Sequence, residues 1–249
     1  MNKSKVIDLV HSIWKVPITK EDPAVFYDSI NSFNKEDFLK SAEQYGTPQF
    51  IVNLNDLKKR AHFFIETFRK YIPNTHFFYA FKCNDLPMLV NALKECGFNA
   101  DVAGLFELEL ARVLGFKSII FTSPGKSTEE LKLALKNRDK VIINVDNYDE
   151  LSHLMELSER AKVRIDISVR VNTSKKVTKV WSKFGIELDD LKRMIRTIRK
   201  CPWLNLAGLH FHSSWNRTPE KYITNIHLIS DFLKDNFYDD EILSLKFLD

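Results

Sequence analysis

From His76 onward two hydrophobic patterns alternate along the chain: short runs rich in β-branched and aromatic residues, and longer stretches with apolar positions every three to four residues. The short runs begin near His76, Gly97, Ser118, Lys140 and Val163, at successive spacings of 21, 21, 22 and 23 residues, the length of one strand, one turn and one helix. The longer stretches carry helix boundary signals. Pro87 stands in the first turn of a helix over 88–96 that Gly97 closes, Gly115 closes the next, Ser127 and Glu130 have capping-box spacing, and Asp146 precedes a helix over about 148–160. Two further strands, 206–213 and 244–249, arrive after longer gaps. These gaps hold an insertion at 172–183 and helices near 187–200 and 219–236, so seven strands in strict β-α alternation are predicted.

Upstream, residues 1–46 read as a helical extension, in which Asn34 and the apolar positions Phe38, Leu39 and Ala42 set up a helix that Gly46 and Pro48 end. A short strand at 49–53 and an amphipathic helix over about 54–71 lead into the repeating pattern, so the second domain runs from 47 to 249. Seven parallel strands joined by helices fit an eight-stranded (β/α) barrel of the TIM type, incomplete at its C-terminus, or a doubly wound open sheet. A dinucleotide-binding open sheet would carry GxGxxG after its first strand. The turn here, Lys82-Cys83-Asn84-Asp85-Leu86-Pro87, contains no glycine, which favours the barrel.

Composition narrows the function classes. With 249 residues, 44% hydrophobic and 28% charged, the chain can bury a large core, and a net charge of +4 spread among interleaved acids and bases does not call for nucleic acid. No apolar run approaches membrane-spanning length and the N-terminus lacks a signal-peptide core, so the cytoplasm is the expected compartment. Three cysteines without CxxC spacing argue for reduced thiols and against a structural metal.

In a barrel the C-terminal strand ends line the active site. The first strand leads through Phe77-Phe78-Tyr79-Ala80-Phe81 to Lys82. Strand alternation would put Lys82 on the side of Phe78 and Ala80, where apolar neighbours would lower its pKa toward the nucleophilic free amine; the other reading is a surface lysine at a strand end. Asp101 stands near the end of the second strand, with Glu107 in the following helical turn. In the fifth strand Asp166, Ser168 and Arg170 alternate with apolar residues, either as a polar lumen or as the wet face of an edge strand. His210 and His212 share a face as the start of a metal site, as a ring that stacks on a planar cofactor, or as core histidines, with Ser213 and Ser214 beside them.

The ordered segments Tyr79-Ala80-Phe81-Lys82-Cys83-Asn84, Asp101-Val102-Ala103 with Glu107, Thr122-Ser123-Pro124-Gly125-Lys126, Lys183-Phe184-Gly185-Ile186 and Gly208-Leu209-His210-Phe211-His212 resemble the motifs of the pyridoxal-phosphate-dependent amino-acid decarboxylases with an alanine racemase-like barrel, the diaminopimelate and ornithine decarboxylase type. The resemblance runs from about Tyr45 to the end. It implies pyridoxal 5'-phosphate as cofactor and Lys82 as its Schiff-base residue and a proton carrier. Asp101, Glu107 and Arg170 would lie beside the cofactor, and His212 would stack on the pyridine ring. It also implies decarboxylation of a basic or diamino acid, a small-molecule amino-acid substrate, and a homodimer in the complete enzyme.

Two departures qualify the resemblance. Where the family has a small apolar residue followed by Gly-Ser, this chain has Ser213-Ser214-Trp215, so Ser213 or Ser214 is expected to take over the phosphate contact. The chain also reads as ending at the seventh strand, before the family's Gly-rich phosphate loop, eighth strand and C-terminal β-domain, which is the expectation for a fragment. A noncatalytic relative acting as a binding or regulatory protein, or an amino-acid racemase on the same barrel, are the alternatives.

Overall fold

The computed structural model describes residues 34–173, 183–213 and 219–249, and the chain divides into two compact units, Met1–Lys70 and Tyr71–Asp249. In the first unit, α1 (Lys35–Tyr45) starts where the Asn34 side chain accepts a hydrogen bond from the Glu36 N–H, and ends at Gly46 in a left-handed conformation. Helix α2 (Leu54–Tyr71) follows. The expected strand at 49–53 does not form. The Gln49 amide is tied back to the Ser41 carbonyl, and the Asn53 side chain caps α2 by accepting from the Asp56 N–H at 3.1 Å, so the segment serves two helix ends. Residues 1–33 of the expected extension lie outside the described residues.

The second unit holds β1 (Phe78–Ala80), α3 (Pro87–Glu95), β2 (Asn99–Val102), α4 (Leu105–Val113), β3 (Ile119–Thr122), α5 (Thr128–Lys136), β4 (Val141–Val145), α6 (Tyr148–Ala161), β5 (Ile165–Asn172), β6 (Ile186–Glu187), α7 (Leu188–Arg199), β7 (Leu204–Phe211), α8 (Glu220–Asn236), α9 (Asp239–Leu243) and β8 (Phe247–Leu248). All pairings are parallel, in the order β1-β2-β3-β4-β5-β7-β8, with β6 pairing β5 separately. The seven predicted strands are the seven of this path, the parallel strand order of the incomplete (β/α) barrel expected. Strand β6 and helix α9 were not predicted; both are too short to leave a periodic signal. Among the described residues β1 and β8 do not pair with each other.

Local signals account for the elements. The predicted capping box at Ser127 and Glu130 is present at α5. At α6 the cap is Asn147, whose side chain accepts from the Glu150 N–H at 2.8 Å. Asp146, which the sequence placed before that helix, is thereby left for a different partner.

The register sorts the residues into two faces. On one lie Ala100, Val102, Ile119, Phe121, Ile143, Val145, Ile167, Val169 and Leu209, all buried. The Phe81 ring packs edge-on against Phe116, just beyond α4, at 5.5 Å. The other face carries, in adjacent register, Ala80 and Asp101, then Thr122, Asn144, Ser168, Gly208 and Phe247. Parallel strands covered on both faces usually carry apolar residues on both, so this polar row marks a lined lumen and not an edge strand. A register shift in β5–β7 pairs Ile167 with Leu206 but Ser168 with Gly208, leaving Ala207 as the extra residue. A one-residue slip reverses faces, and it is this bulge that turns Gly208 and His210 into the lumen.

Candidate active site

The strand that delivers Lys82 ends at Ala80; Phe81, Lys82 and Cys83 form a single 3₁₀ turn. Strand alternation therefore does not reach Lys82, and the side chain is exposed at the C-terminal end of the sheet instead of enclosed by apolar neighbours. The turn is fixed from both sides. Phe81 is buried, and the Asn84 side chain accepts from the Leu86 N–H at 3.1 Å before Pro87 opens α3.

Asp101 lies next to Ala80 across the β1–β2 register. Burial pushes its carboxyl up to about 6, against the opposing effects of a hydrogen bond from Thr122 and the charges of His210 and Lys82, with Asp249 adding to the rise. Its Oδ1 is buried with no hydrogen-bond partner. The Glu107 carboxylate accepts the Ala103 N–H at 2.6 Å, closing the turn between β2 and α4.

Arg170 is held by residues that sequence reading did not single out for the site. Its guanidinium donates to the Asp146 carboxylate at 3.1 Å and lies over the Phe184 ring at 5.1 Å. Asp146 is buried at the C-terminal edge of β4. The backbone of Gly185, at φ +82°, passes so close to Arg170 that a Cβ there would stand 2.9 Å from the Arg170 carbonyl oxygen. Presence of Phe184-Gly185 in the sequence was the available signal, but its contact with Arg170 needed the fold.

His212 follows β7 and keeps much of its surface exposed. Partial burial lowers its pKa to about 4, and the nearby positive charges of Lys82 and Arg170, together with His210, act in the same direction. The ring is therefore neutral near pH 7. Ser213 is half-buried immediately after it; Ser214 and Trp215 lie outside the described residues. His210, one step earlier on the same face, is buried, with Nδ1 at 2.7 Å from Asp249 Oδ2. Among the described residues no three His, Cys, Asp or Glu side chains gather as a metal-binding group.

A second buried ion pair, Lys126 with Glu150, braces the strand ends. Lys126 Nζ donates at 2.7 Å to the Ser123 carbonyl, the Asn144 carbonyl and the Glu150 carboxylate. Burial lowers the Lys126 pKa and raises that of Glu150, while their mutual attraction opposes both shifts. The loop after β3, the end of β4 and the start of α6 are thus joined through one ammonium group.

Lys82, Asp101, Arg170, His210 and His212 are linked by mutual electrostatic interaction at one end of the sheet. An exposed amine, a carboxyl that titrates near 6, a fixed guanidinium and a neutral imidazole form a set suited to an anionic ligand with a reactive carbonyl.

Comparison with known proteins agrees with that chemistry. Residues 55–238 match the family model described as the pyridoxal-binding domain of pyridoxal-dependent decarboxylases. The diaminopimelate decarboxylase of Aquifex aeolicus is 30% identical over 181 residues, covering 69% of this chain and 42% of that protein. Among solved structures, Aquifex aeolicus AQ1208 is 27% identical with a TM-score of 0.69, covering 85% of this chain and 50% of the other. A Vibrio vulnificus lysine/ornithine decarboxylase complexed with putrescine is 25% identical with a TM-score of 0.67, covering 80% and 51%. The chain spans about half the length of these relatives. On the match of 55–238, which takes in every strand from β1 to β7 and the residues gathered at their ends, the chain belongs to the pyridoxal-dependent decarboxylase family.

Proposed function

We propose that this chain supplies the cofactor-binding part of a pyridoxal-phosphate-dependent decarboxylase acting on a basic or diamino acid, with Lys82 as the residue that captures the cofactor's aldehyde. The convergence of Lys82, Asp101, Arg170 and His212 at one end of the sheet carries this reading. When bound, the cofactor supplies an electron sink for the carbon that loses its carboxylate.

The side chains fit such a group. Lys82 is exposed and accessible to an aldehyde. His212, uncharged above about pH 4, presents a flat ring with an open face for stacking on a pyridine. Arg170 offers a cation held by Asp146 and Phe184, and Asp101 offers a buried oxygen without a partner. Ser213 is our candidate for a phosphate hydrogen bond, with Ser214 as its neighbour in sequence, and Glu107 holds the turn that follows Asp101. Lys82, once displaced from the aldehyde, is positioned to move a proton.

The substrate class rests on the relatives, whose names refer to diaminopimelate, lysine and ornithine. A homodimer is the assembly we infer from the family resemblance. Among the described residues no helix is long and apolar enough to cross a membrane. The three cysteines, Cys83, Cys96 and Cys201, form no disulfide, which supports a reducing compartment such as the cytoplasm.

Adding pyridoxal phosphate to the purified chain should raise an absorbance band at about 420 nm, and borohydride reduction should fix the label on Lys82. Lys82→Ala should abolish both. A folded chain without the band, or an undiminished band in Lys82→Ala, would overturn the assignment and favour a noncatalytic binding protein.

A further inference from the structure

Helices α5 and α6 pack against each other, and a cavity of about 650 Å³ opens between them. Thr128 Oγ1 on α5 stands 3.3 Å from His153 Nε2 on α6 and ties the two walls together. The groove runs on to the segments that leave these helices for Val141 and Ile165, the N-terminal ends of β4 and β5. Lys82 and the residues grouped with it follow the C-terminal ends of their strands, and none of them lines this cavity.

The lining sets four cations against one carboxylate. Lys132 and Lys136 stand one turn apart on α5, Arg138 follows that helix, and Arg160 lies in the last turn of α6, where it takes the carboxylate, Glu156, at 2.6 Å. Among the described residues the side chains of Lys132, Lys136 and Arg138 have no ion pair or hydrogen bond. A cation in the last turn complements the helix dipole, which accounts for Lys136 and Arg160. It does not account for Lys132, because like charges four residues apart on a helix repel each other. Beneath the cations the wall is apolar: Leu135 and Leu157 are buried, and Val163 is half-buried.

We propose that the α5–α6 cavity binds a nucleoside polyphosphate, with its phosphates among Lys132, Lys136 and Arg138 and its base against Leu135, Leu157 and Val163. The charge selects the class. Three unpaired cations along one wall match a ligand that carries several negative charges close together, and lysine and arginine are the usual donors to phosphate oxygens. The volume and the apolar wall select the rest of the ligand. Small-molecule sites measure about 300–1,000 Å³ and are mostly apolar, so a bare polyanion would leave most of this cavity uncovered, whereas a flat base covers it. The inference stands apart from the reading of Lys82, since the two sites share no residue.

The test is a calorimetric titration of the full chain with ATP at about 0.15 M salt, where attraction to scattered exposed charges is screened. ATP should bind as one molecule per chain, and inorganic tripolyphosphate and adenosine, each carrying half of the recognised chemistry, should bind about 10-fold more weakly or worse. Lys132→Glu with Lys136→Glu should weaken ATP by about 10-fold or more. Lys117→Glu with Lys200→Glu changes the net charge equally at exposed lysines outside the cavity and should leave ATP binding as it was. Far-UV circular dichroism checks that both double variants fold, and saturating pyridoxal phosphate should not displace the nucleotide. No binding of ATP, or equal weakening by the two double variants, overturns the proposal. So does tripolyphosphate or polyglutamate binding as tightly as ATP, the mark of an unselective cationic surface. Displacement by pyridoxal phosphate overturns it too, by putting the nucleotide at Lys82.

Discussion

Gly185 and Arg170 touch through their backbones, with so little space between them that no side chain fits at position 185. A Cβ on Gly185 would lie 2.9 Å from the Arg170 carbonyl oxygen and 3.2 Å from its Cγ, and the glycine's φ of +82° is one that L-residues resist. Phe184, directly before it, lies against the guanidinium of the same arginine. One short segment thus sets both the backbone and the head group of Arg170.

Gly185→Ala should therefore act on the site as well as on the fold. We expect a loss of about 1–3 kcal/mol in unfolding free energy and about 10-fold weaker binding of pyridoxal phosphate through displacement of Arg170. Urea unfolding and an absorbance titration measure the two effects. Parental cofactor affinity in a folded variant would disconnect Gly185 from Arg170's role.

Asp146→Asn tests the other support of Arg170. The amide still fills the space but offers a neutral acceptor in place of a carboxylate, so the variant should lose about 1–2 kcal/mol and bind the cofactor more weakly. Because Asn147 caps α6, that helix should be unaffected, which far-UV circular dichroism would check.

Lys126→Met should be the most destabilising of these changes, at about 3–5 kcal/mol, since it leaves the buried Glu150 carboxylate without its cation. The double variant with Glu150→Leu should recover most of that loss. A double-mutant cycle by chemical denaturation with no coupling between the two positions would contradict the geometry.

Asp101 and His212 should tilt the pH dependence of stability in opposite directions. The Asp101 carboxyl holds its proton up to about 6 in the folded chain against a usual 3.8, so its contribution is full below about pH 4 and lost as pH rises through 6. The His212 ring resists its proton down to about 4 against a usual 6.5, so its contribution is full above 6.5 and lost as pH falls toward 4. Across the shared window Asp101→Asn should make stability rise more with pH, and His212→Gln should make it fall more. Equilibrium unfolding between these limits reads both slopes; two variants with the parental slope would exclude the shifts.

The alternation of strands and helices was legible because each element carries its own signals: period-two apolar runs, Pro87 at a helix start, Ser127 and Glu130 as a cap. Lys82, Asp101, Arg170 and His212 were legible as residues at strand ends, before any contact among them was visible. The supports were not. Asp146 reads as a helix-starting residue until Asn147 is seen to do the capping, and Gly185 reads only as part of the Lys183-Phe184-Gly185-Ile186 motif until Arg170 is found against it. The segment 49–53 reads as a strand, yet Asn53 and Gln49 bond to helix ends, and among the described residues no strand pairs with it.

The sequence alone determined which residues are available for chemistry and the order in which the elements follow one another, since propensity, capping and hydrophobic period act over a few neighbouring positions. Only the tertiary structure decided which way those residues face. The Lys82 turn leaves strand geometry after Ala80, and the Ala207 bulge reverses the faces of β7, so that His210 reaches the lumen with Asp101 and Asp249. Register and bulges arise from pairing between segments far apart in the chain, and a reversal of one residue moves a side chain from core to cavity without changing the local hydrophobic pattern.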